Sequence, residues 1–340
     1  NPRPDTPEAI EGRLKVASFN VLNYFTTLTS EDSDARGAST AQELADQTAK
    51  IVAAISAIDA DILGLIEIEN DLGDVDDEAV AALVNALNVE LGAGTYDYIA
   101  TGKVGDDAIK QAVIYKPEAV TPVGDSAVLD SEAFIDPLGA GRDLNRPALA
   151  QSFEENGTGE VFTVSVNHFK SKGSETGVIV NGEPDDTEVE GSAALTRIAA
   201  AEELADWLAT DPTGSGDPDQ LTIGDFNAYS MERAIQALEA DGFTNLADAD
   251  AISYQFDGRL GTLDYAFAND GLLDQIQDYT IWNVNSLEAH AQQYSAFQFD
   301  ALGDPSSPFG SSDHDPVIVG LDLQAPAPQR QLVEGRAGRD

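Results

Sequence analysis

An α/β layered fold is predicted by three features of this 340-residue chain. Short β-branched runs alternate with segments of helical periodicity along its whole length. Hydrophobic residues make up 42% of it, enough for one large core or two ordinary ones. Long polar loops fall between the regular runs, and no internal repeat suggests a solenoid instead. Strands are expected at 14–22, 61–68, 109–115, 148–153, 161–167, 221–224, 262–268, 279–284 and 316–321. Thr40 with Glu43 makes a capping box, after which Leu44, Ile51, Ile55 and Ile58 share one helical face. Leu195, Ile198, Ala201, Ala205 and Leu208 repeat that spacing in a second helix. A third, weaker helix runs over 79–91. Loops are expected at 26–39, 173–190 and 289–311, where long ordered segments on a rigid scaffold usually build a site.

The charge balance is lopsided. Eighteen Lys plus Arg face 61 Asp plus Glu, a formal net charge of -43, and 38 of the acids are Asp while only 7 of the bases are Lys. This reads as adaptation to concentrated salt, where the Debye length falls to ~3 Å at 1 M and self-repulsion is screened. The aliphatic runs are too regular for a disordered chain. Cysteine is absent, which excludes disulfides and thiolate metal sites. No stretch approaches 18 uninterrupted apolar residues, so no membrane-spanning helix is expected. Residues 1–12 read as an N-terminal extension with a processed start, 13–323 as one domain, and 324–340 as a Pro/Ala-rich linker or tail.

Polar residues gather at strand ends. Asn20 ends the first strand in SFNVLN, Glu67 and Glu69 end the second in GLIEIEN, and Asn167 and His168 end another in SVNHFKSK. Asp225 and Asn227 follow in LTIGDFN, Asp264 interrupts GTLDYAF, and SDHDP places Asp313, His314 and Asp315 before the last strand. Only three histidines occur in the chain. Each motif alone reads more readily as a satisfied structural group or an Asx turn; six together at strand ends favour a site, because polar groups in apolar strands are costly unless paired or used. Carboxylates and amides without cysteine are hard oxygen donors suited to Mg²⁺, Mn²⁺ or Ca²⁺. Two histidines beside them add proton transfer near neutrality, the combination that phosphodiester hydrolysis requires.

This set of motifs resembles the endonuclease/exonuclease/phosphatase (DNase I-like) superfamily, and is most similar to its secreted bacterial DNases, here of a halophilic type. The resemblance implies a four-layer α/β sandwich, two packed and mainly antiparallel sheets flanked by helices. It implies a largely sequence-non-specific extracellular deoxyribonuclease that depends on Mg²⁺ or Mn²⁺. Glu67 is then the principal metal ligand, with Asp313 and Asn20 completing or bordering the site and Glu69 supporting it. Asp225 orients or deprotonates water, Asn227 holds the scissile phosphate, and His314 paired with Asp264 stabilises charge and exchanges a proton. His168 is the second phosphate or leaving-group histidine. The glutamate that supports this histidine in pancreatic-type deoxyribonucleases aligns with Ile109, so Asp106 and Asp107 are the candidates to replace it.

The sparse bases cluster. Lys103, Lys110, Arg142, Arg146, Lys170 and Lys172 lie in or beside the motif loops. Arg146 matches an arginine that the family places near phosphate; Arg142, Lys110, Lys170 and Lys172 are expected to contact DNA, although each could pair with a surface carboxylate instead. Trp282, Tyr229 and Phe226 read as core packing rather than base-stacking residues. Asp71, Asp74, Asp76 and Asp77 are the place for a structural Ca²⁺, but they lack EF-hand spacing and read as a solvated turn. DNA is the expected partner, with no membrane and a monomeric protein, and the C-terminal linker is the place where an additional DNA-binding domain would attach. The rival activities are a phosphatase or phospholipid phosphodiesterase of the same superfamily, and, outside catalysis, an acidic calcium-binding module. The complete set of site residues speaks against that last reading.

Overall fold

Strands that are apolar on both faces must be covered on both sides. In the computed structural model, which describes residues 4–72, 75–294 and 303–324, this is met by stacking two sheets and covering each outer face with helices. The elements in chain order are β1 Leu14–Tyr24, α1 Ala41–Ile58, β2 Ile62–Glu69, α2 Glu78–Leu91, β3 Asp97–Tyr98 and β4 Ile109–Tyr115. Next come β5 Val120–Leu129, α3 Glu132–Ile135, β6 Ala148–Glu155, β7 Val161–His168, β8 Ile179–Val180, β9 Glu183–Pro184, α4 Ala194–Leu208 and β10 Gln220–Asp225. The chain continues with α5 Arg233–Ala240, β11 Phe243–Asn245, β12 Tyr254–Phe256, β13 Arg259–Gly261, β14 Asp264–Asn269, α6 Asp270–Leu273, β15 Ile276–Ile281 and β16 Val317–Leu321. One sheet has the order β15-β16-β1-β2-β4-β3 and the other β11-β14-β10-β7-β6-β5. Pairing is antiparallel except for β1 with β2 and β7 with β10. The architecture is a four-layer α/β sandwich, as the sequence implies.

The inner core is built from Val16, Ile62, Ile66 and Val113 of one sheet against Phe153, Phe162, Val164, Val166 and Ile223 of the other. The sheets approach closely at Gly64, where a Cβ would lie 2.8 Å from Val166 Cγ2 and 2.9 Å from Ile223 Cδ1. Outside the first sheet, Ile51, Ile55 and Ile58 of α1 join Leu83 and Leu87 of α2. Outside the second, Ala201, Leu204 and Leu208 of α4 pack with Ile235 and Leu238 of α5 over Phe226 and Phe267. The expected capping box opens α1: Thr40 Oγ1 accepts from Glu43 N, and Glu43 Oε2 accepts from Thr40 N and Ser39 N. Among the described residues no helix is long and apolar enough to cross a membrane.

Three departures have physical causes. β5 is absent from the strands expected from sequence, where Pro122 and Gly124 interrupt it; as the edge strand of its sheet it tolerates both, with a register shift between Val123 and Ala127. The strand expected at 279–284 lies at Ile276–Ile281, because the following residues turn to donate to the Asp315 carboxylate. The 173–190 and 241–261 segments contain the short hairpins β8–β9 and β12–β13, too brief to register as periodic runs.

Candidate active site

Each parallel pair is joined through a helix, β1-α1-β2 in one sheet and β7-α4-β10 in the other, and functional groups in such units collect beyond the carboxyl ends of the strands. Here the two ends meet. Asn20 Nδ2 of β1 donates to Glu67 Oε1 of β2 at 3.2 Å and lies 3.5 Å from Asp225 Oδ2 of β10.

Local backbone irregularity aims these groups. The β1 and β2 ladders both slip near their ends, with Leu22, Asn23 and Glu67 at φ of 53°, 51° and 68°. A left-handed glutamate costs about 1–3 kcal/mol and persists only where its surroundings fix it. Glu67 is fixed by Asn23 N, which donates to Oε2 at 3.0 Å, and by Asn20. In GDFN, Gly224 has φ 142°, and a Cβ there would sit 2.1 Å from Asn167 O, so only glycine lets β10 run against β7 and place Asp225 opposite His168. Asn227, at φ 50°, donates its backbone N–H to Asp225 Oδ1 at 2.8 Å and its amide to Phe169 O at 3.1 Å.

SDHDP divides its labour. Asp315 is buried and accepts five hydrogen bonds, from Asn283 Nδ2, Val284 N, Asn285 N, Ser286 N and Ser286 Oγ, so it is the turn. His314 is thereby held with Nδ1 2.8 Å from Asp264 Oδ2 and Nε2 3.8 Å from Asp225 Oδ2, its ring stacked on Tyr254 at 4.5 Å. Ser253, not anticipated from sequence, donates to the same Asp264 oxygen at 2.7 Å, while its carbonyl accepts from Asp315 N at 2.8 Å. His168 Nε2 lies 3.7 Å from Asp225 Oδ2 and 3.9 Å from Glu67 Oε1. Its backbone N–H is satisfied by the Gln111 amide, oriented so that its oxygen accepts at 3.1 Å. Asp106 and Asp107 do not support His168: Asp107 is bridged by Arg36 at 2.6 Å and Arg146 at 2.9 Å, and Asp106 lines a surface groove.

The two imidazoles are set apart electrically. Burial lowers His168 well below its ordinary value, reinforced by Arg146, His314, Lys170 and Arg36, so it is neutral. Burial also opposes charge on His314, but Asp264, Asp225 and Asp313 together outweigh it and raise it well above its ordinary value. Asp225 is pushed up to about 7, chiefly by burial, with His314 opposing and Asp264 and Glu67 adding to the rise. A carboxylate there titrates where a general base must.

A divalent cation fits one part of this cluster better than another. Asp225, Asp264 and His314 bring ligand atoms within 4.8 Å of one another. In that trio the groups are already engaged with one another, His314 Nδ1 lying 2.8 Å from Asp264 Oδ2, which also accepts from Ser253 Oγ at 2.7 Å. Glu67 is different: burial raises it, and the charge of Asp313 raises it further. Two partly buried carboxylates of like charge beside an amide are hard donors whose repulsion a Mg²⁺ or Mn²⁺ relieves. Glu69 stands aside from them, accepting from Thr26 N, Thr26 Oγ1 and Thr27 N.

The expected phosphate contacts sort unevenly. Arg146 spends Nε on Asp107, while its buried Nη1 has no partner among the described residues. Lys170 is bonded to Ser174 Oγ and feels the charges of Arg146 and Arg142, the latter bonded to Thr176 O. Lys172 is held by the Glu232 carboxylate and Glu190 O, over the Tyr229 ring. Lys110 is a correction. It is fully buried, donating to Asp71 at 3.1 Å, Asp77 at 2.6 Å and Gly102 O at 2.6 Å, so its ammonium cannot reach DNA. Of the aspartates expected in a solvated turn, Asp71 and Asp77 instead neutralise Lys110, with Asp77 buried, whereas Asp76 is exposed and Asp74 lies outside the described residues. Phe226 and Trp282 are core, as expected, and Tyr229 is half-buried.

A buried carboxylate–imidazole cluster thus lies where the two stacked sheets meet. Residues 17–314 match the model of the Endonuclease/Exonuclease/phosphatase family, and the chain belongs to that family. No curated protein sequence matches it significantly. Among solved structures, it is similar to a mannosyl-6-phosphatase of Bacteroides thetaiotaomicron, at 17% identity and TM-score 0.57 over 91% of this chain and 100% of that one. The human Nocturnin catalytic domain with bound sulfate is similar at 17% identity and TM-score 0.52, over 91% and 92%. D. rerio TDP2 complexed with a single-strand DNA product gives 11% identity and TM-score 0.53, over 91% and 99%. At such identities the likeness is one of fold.

Proposed function

We propose that the protein is a divalent-metal-dependent, largely sequence-non-specific deoxyribonuclease, acting outside the cell and adapted to high salt. The observation that carries the proposal is the crowding around Asp225 Oδ2, with an amide at 3.5 Å and imidazoles at 3.7 and 3.8 Å. Glu67, Asp313 and Asn20 would hold the cation, which when bound neutralises phosphate charge. Asp225 orients the attacking water and takes its proton as the P–O bond opposite breaks. Neutral His168, Asn227 and the spare Nη1 of Arg146 face phosphate oxygens, and charged His314, steadied by Asp264, stabilises the developing negative charge.

The strand-end motifs resemble those of secreted bacterial DNases, which supports an extracellular location. The 38 aspartates support action in concentrated salt. At low salt a net charge of -43 repels DNA, so nicking is expected to persist or rise toward molar NaCl. The test is conversion of supercoiled plasmid with Mg²⁺, with EDTA, and across NaCl concentration. Metal-dependent nicking that tolerates molar salt is expected. Loss of cleavage above modest NaCl would sink the salt claim, and intact plasmid with phosphate released from small esters would sink the nuclease claim.

A further inference from the structure

Beside the cluster, a polar groove of about 490 Å³ runs between the 26–39 loop and the 103–108 turn. Its lining includes Arg36, Lys103, Asn70, Asp34, Asp106 and Asp107. Resting on the nuclease reading, we infer that this groove is a subsite for a DNA phosphodiester flanking the one cleaved, with Arg36 and Lys103 as its cationic contacts.

The groove is joined to the site by one shared carboxylate. Asp107 binds Arg36 Nη2 through Oδ1 at 2.6 Å and Arg146 Nε through Oδ2 at 2.9 Å. Arg36 lines the groove, while Arg146 lies outside that lining and keeps a buried Nη1 without a partner among the described residues. Planar guanidinium groups held this way present fixed forks to phosphate oxygens. Lys103 is exposed on the opposite lip and has no ion-pair partner among the described residues. Arg36, Arg146 and Lys170 all act electrostatically on His168.

Both walls hang from the end of the strand that carries Glu67. Glu69 fixes Thr26 and Thr27 of one wall through three hydrogen bonds. Asn70 fixes the other, donating to Val104 O and Asp107 O at 2.7 Å each and accepting from Val104 N at 2.8 Å. Beneath the second wall, Asp77 accepts from Thr101 N and Gly102 N and clamps Lys110. A subsite so braced is formed before ligand arrives. Asp34 and Asp106 oppose a phosphate at low salt, and salt screens them.

A phosphomonoester or isolated diester has no second phosphate to place here, so the groove distinguishes polynucleotides from small esters. The test compares wild type, Lys103→Ala and Arg36→Ala on an oligodeoxynucleotide and on bis-p-nitrophenyl phosphate. On the oligonucleotide each substitution is expected to raise KM about 5- to 10-fold, and to flatten the slope of log affinity against log salt by about 0.7–0.9. Turnover of the small diester by Lys103→Ala is expected to stay within about twofold. Equal losses on both substrates would show that the substitutions act through Arg146 and would overturn the subsite. Unchanged oligonucleotide KM in both variants would overturn it too, leaving the nuclease reading intact. Wild-type turnover of the small diester without the oligonucleotide would overturn the nuclease reading, and the subsite with it.

Discussion

Asp264→Asn isolates the charge that holds His314. The pair is buried, Nδ1 and Oδ2 are 2.8 Å apart, and Ser253 Oγ at 2.7 Å fixes the same carboxylate oxygen. The substitution keeps the shape and an acceptor but removes the charge. A buried hydrogen bond to an ionised group contributes about 1.5–3 kcal/mol, which at about 1.4 kcal/mol per decade is a loss of roughly 10- to 150-fold in kcat. The pH dependence has a sign. Asp264 raises His314 above its ordinary value of 6.5, so imidazolium persists in the wild type into more alkaline solution. Stability from this pair is complete below the unfolded value and is lost as pH rises through the folded one. In Asp264→Asn the alkaline limb of the pH–rate profile is expected to move to lower pH, narrowing the profile toward the acid limb set by Asp225. The assay is initial nicking rate against pH at saturating Mg²⁺ for both proteins. A fall of less than about threefold, or an alkaline limb that stays in place, would refute the role given to the pair.

Gly224→Ala puts a Cβ 2.1 Å from Asn167 O at φ 142° and is expected to cost about 3 kcal/mol or more, read as a lower urea midpoint in high salt. Lys110→Met leaves the Asp71 and Asp77 carboxylates without their buried partner; a loss of roughly 3–5 kcal/mol is expected by the same measurement, and an unchanged midpoint would contradict the internal ion pair. Arg146→Lys keeps the charge but cannot both hold Asp107 and present a second nitrogen, so kcat/KM on DNA should fall about 10²-fold with the fold intact by circular dichroism.

The site was more legible than its supports. Asn20, Glu67, His168, Asp225 and His314 stand out because they end apolar strands, where an unused polar group would be costly, and the fold does bring them together. Ser253 could not be found that way, since serine in a loop carries no signal and its contact with Asp264 is made by the β12–β13 hairpin. Arg36 was equally silent: its partner Asp107 is 71 residues away, and only folding joins them. Lys110 misled because a lysine in a strand beside a motif reads as surface. Its neutralising aspartates come from the loop before α2. β5 was hidden by Pro122 and Gly124, which an edge strand accepts and an inner one does not.

The most direct measurement of the central claim is a comparison of supercoiled DNA with a small phosphomonoester as substrates for wild type and His314→Ala, in Mg²⁺ and molar salt. Expected is DNA cleavage by the wild type, at least ~10²-fold weaker in the variant, and little release of phosphate from the monoester by either. Efficient monoester hydrolysis with intact plasmid would contradict the account and make the cluster a phosphatase site.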